Sequence, residues 1–105
     1  LQMPRRTLPG CEVEVDEGGF LVDSFAWTPE IAEELARECG LETLTPRHWR
    51  AVLCCREAAA RAGGAPDLFS VVRLAGLPLR ELDRLFRHRP LERMAKIAGL
   101  PRPSA

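Results

Sequence analysis

Prolines and glycines cut this chain into short pieces. Thr28-Pro29, Thr45-Pro46, Pro66-Asp67, Pro78 and Pro90 each head a run whose apolar residues recur at helical spacing. Gly40, Gly63-Gly64, Gly76 and Gly99 stand just past the ends of four of those runs. Proline suits the first helical turn, where its missing N–H would lack an intrahelical partner anyway. Glycine takes the left-handed conformation that closes a helix. The runs are carried by Ile31, Leu35 and Cys39; by Trp49, Val52, Leu53, Arg56 and Ala60; by Phe69, Val72 and Leu74; by Leu79, Leu82, Leu85 and Phe86; and by Leu91, Met94, Ile97 and Ala98. Thr28 is an N-cap residue, and Glu30, Glu33 and Glu34 suit the positive end of the first helix.

Two flanks lie outside this pattern. Cys11 to Asp16 alternates apolar and polar residues, Glu17-Gly18-Gly19 supplies a turn, and Phe20-Leu21-Val22 returns, which predicts a β-hairpin that needs a helical layer to pack on. Before it, Pro4, Arg5, Arg6, Pro9 and Gly10 read as a flexible lead-in. After the last helix, Pro101 and Pro103 exclude helix and favour an extended arm, whose six residues from Leu100 to Ala105 would reach roughly 20 Å. The expected fold class is therefore mainly α, with about five short helices, an N-terminal β-hairpin and an extended C-terminal arm. Its expected divisions are a lead-in (1–10), a helical domain (11–98) and a mobile arm (99–105).

The chain's 105 residues suffice for one core. No apolar run approaches the 18 residues of a membrane span, and no basic start precedes an apolar stretch, so neither membrane insertion nor secretion is expected. The chain opens on Leu1 rather than Met, which fits trimmed or processed ends. The net charge of zero conceals a division. Residues 1–45 carry three basic and ten acidic side chains, a net of −7, and residues 46–105 carry twelve and five, a net of +7. Such asymmetry points to a polar partner surface, or to two halves that face each other or water.

Chemistry is sparse. Cys11, Cys39, Cys54 and Cys55 form no C-x-x-C pair, and His48 and His88 stand far from them, so no metal site is expected. Neighbours such as Cys54 and Cys55 do not bridge readily. Without a secretory signal, the four read as reduced, packing thiols of a cytoplasmic protein. Nothing pairs a nucleophile with a base: His48 sits at a helix start, where a surface or capping role is the ordinary one. Gly18-Gly19 lacks the Lys-Ser/Thr of a phosphate loop, and no cofactor is expected. Arg47, Arg50 and Arg56 are expected to form a basic face on the second helix, with Arg61 nearby. A helix-turn-helix that binds DNA is one reading, with Ala36 and Gly40 four apart. Pro46, however, falls where a recognition helix wants an apolar residue, and basic faces also meet acidic proteins.

Several blocks are similar to one family. They are Gly19-Phe20-Leu21-Val22-Asp23, Trp27, Ile31-Ala32, Leu35-Ala36, Leu44-Thr45-Pro46-Arg47-His48-Trp49, Arg56, Ala65-Pro66, Leu85-Phe86 and, most specific, Ala95-Lys96-Ile97-Ala98-Gly99-Leu100-Pro101-Arg102-Pro103. Over residues 11–105 the chain resembles the TusE and DsrC sulfur-relay proteins, which include the gamma subunit of dissimilatory sulfite reductase. The resemblance implies a carrier rather than a self-sufficient enzyme. Its arm cysteine takes up persulfide sulfur and delivers it either toward 2-thiouridine synthesis in tRNA or into sulfite reductase. It further implies that Lys96, Gly99, Leu100, Pro101, Arg102 and Pro103 form the partner-binding arm, with Lys96 or Arg102 favouring the thiolate. The carrier cysteine is expected just after Ala105, where the chain shown stops, so no catalytic residue is assigned within it. The second cysteine of the DsrC branch would align with Ala95, and alanine there excludes the usual arm disulfide. The expected partners are sulfur-relay proteins or sulfite reductase, with an indirect link to tRNA and no membrane. The alternative is a cysteine-less regulatory, interaction or DNA-binding paralogue of the same fold.

Overall fold

A computed structural model describes residues 5–8, 10–64, 66–87 and 89–103, with only the backbone of Arg5 and Arg6. Residues 1–4 and Pro9 of the expected lead-in, Ala65, His88, and Ser104 and Ala105 of the expected arm lie outside the described residues. The helices are α1 (Pro29–Glu38), α2 (Pro46–Ala62), α3 (Leu68–Ala75), α4 (Leu79–Phe86) and α5 (Pro90–Ile97).

The punctuation sets these boundaries. The Thr28 hydroxyl accepts from the Ile31 amide at 3.2 Å, with Pro29 in the first turn of α1. The Asp67 carboxylate accepts from the Ser70 amide at 2.9 Å and so caps α3. Helices α2 and α3 both end on left-handed glycines, Gly63 and Gly76, each of which returns its N–H to a carbonyl of the last turn. A short 3₁₀ turn at Ser24–Ala26, which the sequence pattern does not announce, precedes α1.

The strands depart from expectation. β1 (Arg5–Thr7) pairs antiparallel with β2 (Glu14–Asp16), in the register Arg5 opposite Asp16, Arg6 opposite Val15 and Thr7 opposite Glu14. The lead-in thus supplies a strand at residues 5–7. The expected return strand at 20–22 contracts to a single bridge between Leu21 and Val15. The Asp16 amide still donates to Phe20 O at 2.9 Å, and the Val22 amide to Glu14 O at 3.0 Å. β2 therefore lies between β1 and the returning chain, and Arg-Arg-Thr has no alternation by which to signal a strand.

Helix α2 packs against α3, α4 and α5, and α1 packs against α5. Their shared core holds Phe20, Val52, Cys55, Leu82, Phe86, Met94 and Ile97, with Ala51, Ala58, Ala59, Ala95 and Ala98 where backbones approach closely. A smaller cluster of Leu8, Val15, Leu21, Ile31 and Leu35 seats the strands on α1. Between α4 and α5 the backbone is forced: Arg87 (φ 64°, ψ −143°) and Arg89 (φ 58°, ψ 55°) both hold positive φ without being glycine.

Candidate functional site: the root of the C-terminal arm

Helix α5 ends in a Schellman arrangement. The Gly99 amide donates to Lys96 O at 3.1 Å and the Leu100 amide to Ala95 O at 2.9 Å, with Gly99 at φ +72° and Leu100 buried. The carbonyls of Ile97 and Ala98 are then left over, and two side chains from distant elements take them. Trp27 Nε1–H donates to Ile97 O at 2.8 Å. Arg56 Nη1–H donates to Ala98 O at 2.7 Å, and its guanidinium stacks 4.3 Å from the centre of the Trp27 ring. Burial lowers the Arg56 pKa from the ordinary arginine value. A Cβ on Gly99 would lie 2.5 Å from Trp27 Cδ1, so the indole face presses on the bare glycine. These contacts fix the direction in which the chain leaves α5.

Further out, the arm crosses the turn after β2. Asp16 Oδ1 accepts from the amides of Gly18 (2.8 Å) and Phe20 (3.0 Å), which holds Phe20 in place. Arg102 and Lys96 lie over the Phe20 ring at 4.7 Å and 5.2 Å. Beneath them the ring is only 2% exposed. Arg102 Nη1–H also donates to Glu92 Oε1 at 3.1 Å. A Cβ on Gly18 would run into Arg102 Nη2, so the glycine leaves room for the guanidinium. Lys96, Gly99, Leu100 and Arg102 are thus gathered along one path, with Pro101 exposed and Pro103 half-buried beyond. The structure adds Trp27, Phe20 and Glu92, whose roles appear only through contacts far apart in sequence.

The expected basic face of α2 divides. Arg47 and Arg50 are exposed, and Arg47 donates to Glu81 Oε1 of α4 at 2.8 Å. Arg56 instead turns to the root of the arm. Nine residues separate it from Arg47, about two and a half turns, which puts the two on opposite sides of the helix. No stripe of these three arginines is therefore available for a nucleic-acid groove. His48 serves structure. Its Nδ1 accepts from the Thr45 amide at 3.1 Å, which completes a reciprocal cap with the Thr45 hydroxyl. Its Nε2–H donates to Leu85 O at 2.8 Å, and its ring meets Phe86 edge-on.

All four thiols are raised above the ordinary cysteine value, in each case chiefly by burial. Cys55 is pushed up to about 12. Cys39 rises although Lys96 and Arg93 pull the other way. Glu34 and Glu30 push Cys11 further up, and Glu57 does the same to Cys54. None has the lowered pKa of an activated thiol. Among the described residues, no group of three or more His, Cys, Asp or Glu side chains is placed to hold a metal, and no helix is long and apolar enough to cross a membrane.

Comparison with known proteins gives this geometry a context. Residues 7–105 match the family described as DsrC like protein. The chain is 31% identical over 102 residues to the gamma subunit of the dissimilatory-type sulfite reductase of Nitratidesulfovibrio vulgaris, covering 97% of both chains. It is 32% identical over 101 residues to the sulfurtransferase TusE of Escherichia coli, covering 90% of this chain and 92% of that one. It superposes on the oxidized gamma subunit of the dissimilatory sulfite reductase from Archaeoglobus fulgidus with a TM-score of 0.78 at 29% identity, over 97% and 98% of the two chains. The matched span contains β2, all five helices and the clamped start of the arm, and on it the chain belongs to the DsrC-like protein family.

Proposed function

We propose that this chain is a sulfur-relay carrier that works through its C-terminal arm. The observation that carries the reading is the clamp on Ile97 O and Ala98 O by Trp27 and Arg56, which fixes the root from which an extended, proline-stiffened segment leaves the rigid body. Its relatives are a sulfurtransferase and a sulfite reductase subunit. A tether of this kind lets one sulfur atom visit a donor and an acceptor in turn. A carrier thiolate attacks the terminal sulfur of a donor persulfide, releases the donor thiolate and keeps the sulfur as its own persulfide. Transfer onward reverses these roles.

None of the four cysteines has the electrostatics for that step. The reading assigns Cys11, Cys39, Cys54 and Cys55 to packing and keeps the carrier cysteine where the family resemblance implies it, just after Ala105. It places the chain in the cytoplasm, where thiols stay reduced. Its partners are other sulfur-relay proteins or a sulfite reductase, with Lys96 and Arg102 supplying positive charge along the arm.

The test is to incubate the native gene product with a persulfide donor and map the mass gained. One added sulfur atom confined to the C-terminal peptide is the expected result. A gene product that ends at Ala105 and takes up no sulfur would overturn the carrier reading in favour of a regulatory paralogue.

A further inference from the structure

Helices α3, α4 and α5, with the outer arm at Pro103, leave an open apolar groove. Leu68, Pro78, Leu79, Pro90, Leu91 and Pro103 line it. Two hollows of about 390 and 720 Å³ share Leu68 and Pro90 and so run together. Leu79 is 50% exposed, and Phe69, next to Leu68, is 83% exposed. Side chains of this size left in water beside a continuous hollow are a mark of an interaction surface.

Charge at the rim says what fits. Arg80, Arg89 and Arg102 border the groove, against the carboxylates of Asp83 and Glu92. Glu92 is already engaged by Arg102 at 3.1 Å and by Arg89 at 3.5 Å. From Leu79 to Arg93 the sequence holds five arginines and three acidic residues, within the half of the chain whose net charge is +7. The backbone beside the rim is strained at Arg87 and Arg89, and such outliers persist only where the surroundings hold them in place. Arginine is also the cation that best combines carboxylate pairing with apolar contact.

We infer that this groove docks a segment of a partner protein in which apolar anchors alternate with aspartate or glutamate. The apolar side chains enter between Leu68, Leu79 and Pro90, and the carboxylates meet Arg80 and Arg89. The groove takes in the outer arm at Arg102 and Pro103, but its docking role goes beyond the carrier reading and is tested at Leu79 and Arg80 of α4, so its failure would leave that reading standing.

The probe is a displayed library of random peptides selected on the full chain, followed by fluorescence anisotropy with the synthetic consensus peptide. The expected consensus joins leucine- or phenylalanine-like anchors to acidic residues. Leu79→Glu and Arg80→Glu lie at exposed positions, so folding is retained and checked by circular dichroism. Each is expected to weaken binding by about tenfold or more. A peptide with its acids changed to lysine should recover affinity for Arg80→Glu and not for the parent chain. A consensus without acidic residues, binding indifferent to both variants, or absence of any enriched peptide would overturn the inference. So would self-association of the parent chain that Leu79→Glu abolishes, because the occupant would then be a second copy.

Discussion

Gly99 is the residue on which the arm turns. Its φ of +72° is one that side-chain-bearing residues resist, and the Trp27 ring occupies the space a Cβ would need. Gly99→Ala is therefore expected to lower stability by about 2–3 kcal/mol, the sum of left-handed strain and a displaced indole. Urea unfolding measures it, and a change under about 0.5 kcal/mol would contradict the packing. Arg56 acts on the neighbouring peptide group: removing its guanidinium strands Ala98 O and uncovers the Trp27 face. Arg56→Met is expected to cost about 1–3 kcal/mol, although most surface arginines can be exchanged with little effect. The sequence shows Trp27, Arg56 and Gly99 only as separate residues of recurring blocks. Their meeting depends on how α1, α2 and α5 pack, which no local pattern encodes. Cys55, by contrast, was readable as a packing residue, because it belongs to no C-x-x-C pair and follows no secretory signal. Its thiol, pushed up to about 12, is ionised at neutral pH to only about one part in 10⁵. Alkylation of the native protein should accordingly leave Cys55 unmodified until denaturant is added, and rapid labelling would contradict its burial.

At the scale of elements, side-chain links pin the first turn of α2 to α4. His48 joins the Thr45 cap to Leu85 O at the end of α4. Glu81 joins Arg47 of α2 to Arg84 of its own helix. Hydrogen bonds from Arg84 and then Arg47 hold the Glu81 carboxyl below the ordinary glutamate value. With the folded pKa depressed, this link stabilises the protein above the ordinary glutamate pKa and is lost as pH falls through the folded value. The wild-type chain should therefore melt above Glu81→Gln at neutral pH, and the two melting curves should converge in acid. A constant gap down to low pH would contradict the pairing. The helices themselves were legible because proline and glycine act through local backbone geometry. β1 was not, because a strand of three residues owes its existence to the partner at Glu14–Asp16 and to Leu8 beneath it, not to its own composition.

The molecule as a whole divides at the arm into a part that belongs to the core and a part that rests on it. Leu100 is 8% exposed, joins the main hydrophobic cluster and returns its amide to Ala95 O at 2.9 Å. Arg102, two residues later, is exposed and rests on the Phe20 ring and Glu92. A carrier arm needs this gradient: a root that cannot swing out of register, and an outer stretch whose contacts give way when a partner competes for them. The Leu100 amide should therefore exchange its hydrogen only as fast as the whole protein unfolds, while the Arg102 amide exchanges close to the rate of an open chain. Leu100→Ala is expected to remove about 2–3 kcal/mol of stability by leaving a cavity in the core. Arg102→Glu sets a second carboxylate against Glu92 and uncovers Phe20, yet it should cost only about 1 kcal/mol, because exposed ion pairs and cation–π contacts are weak in water. Under the docking role proposed for the arm, its larger effect should fall on partner affinity. Hydrogen exchange of the two variants decides between this gradient and a rigid arm. If Arg102→Glu also stripped protection from Leu100, the root and the outer stretch would be one unit, and docking would require part of α5 to unravel.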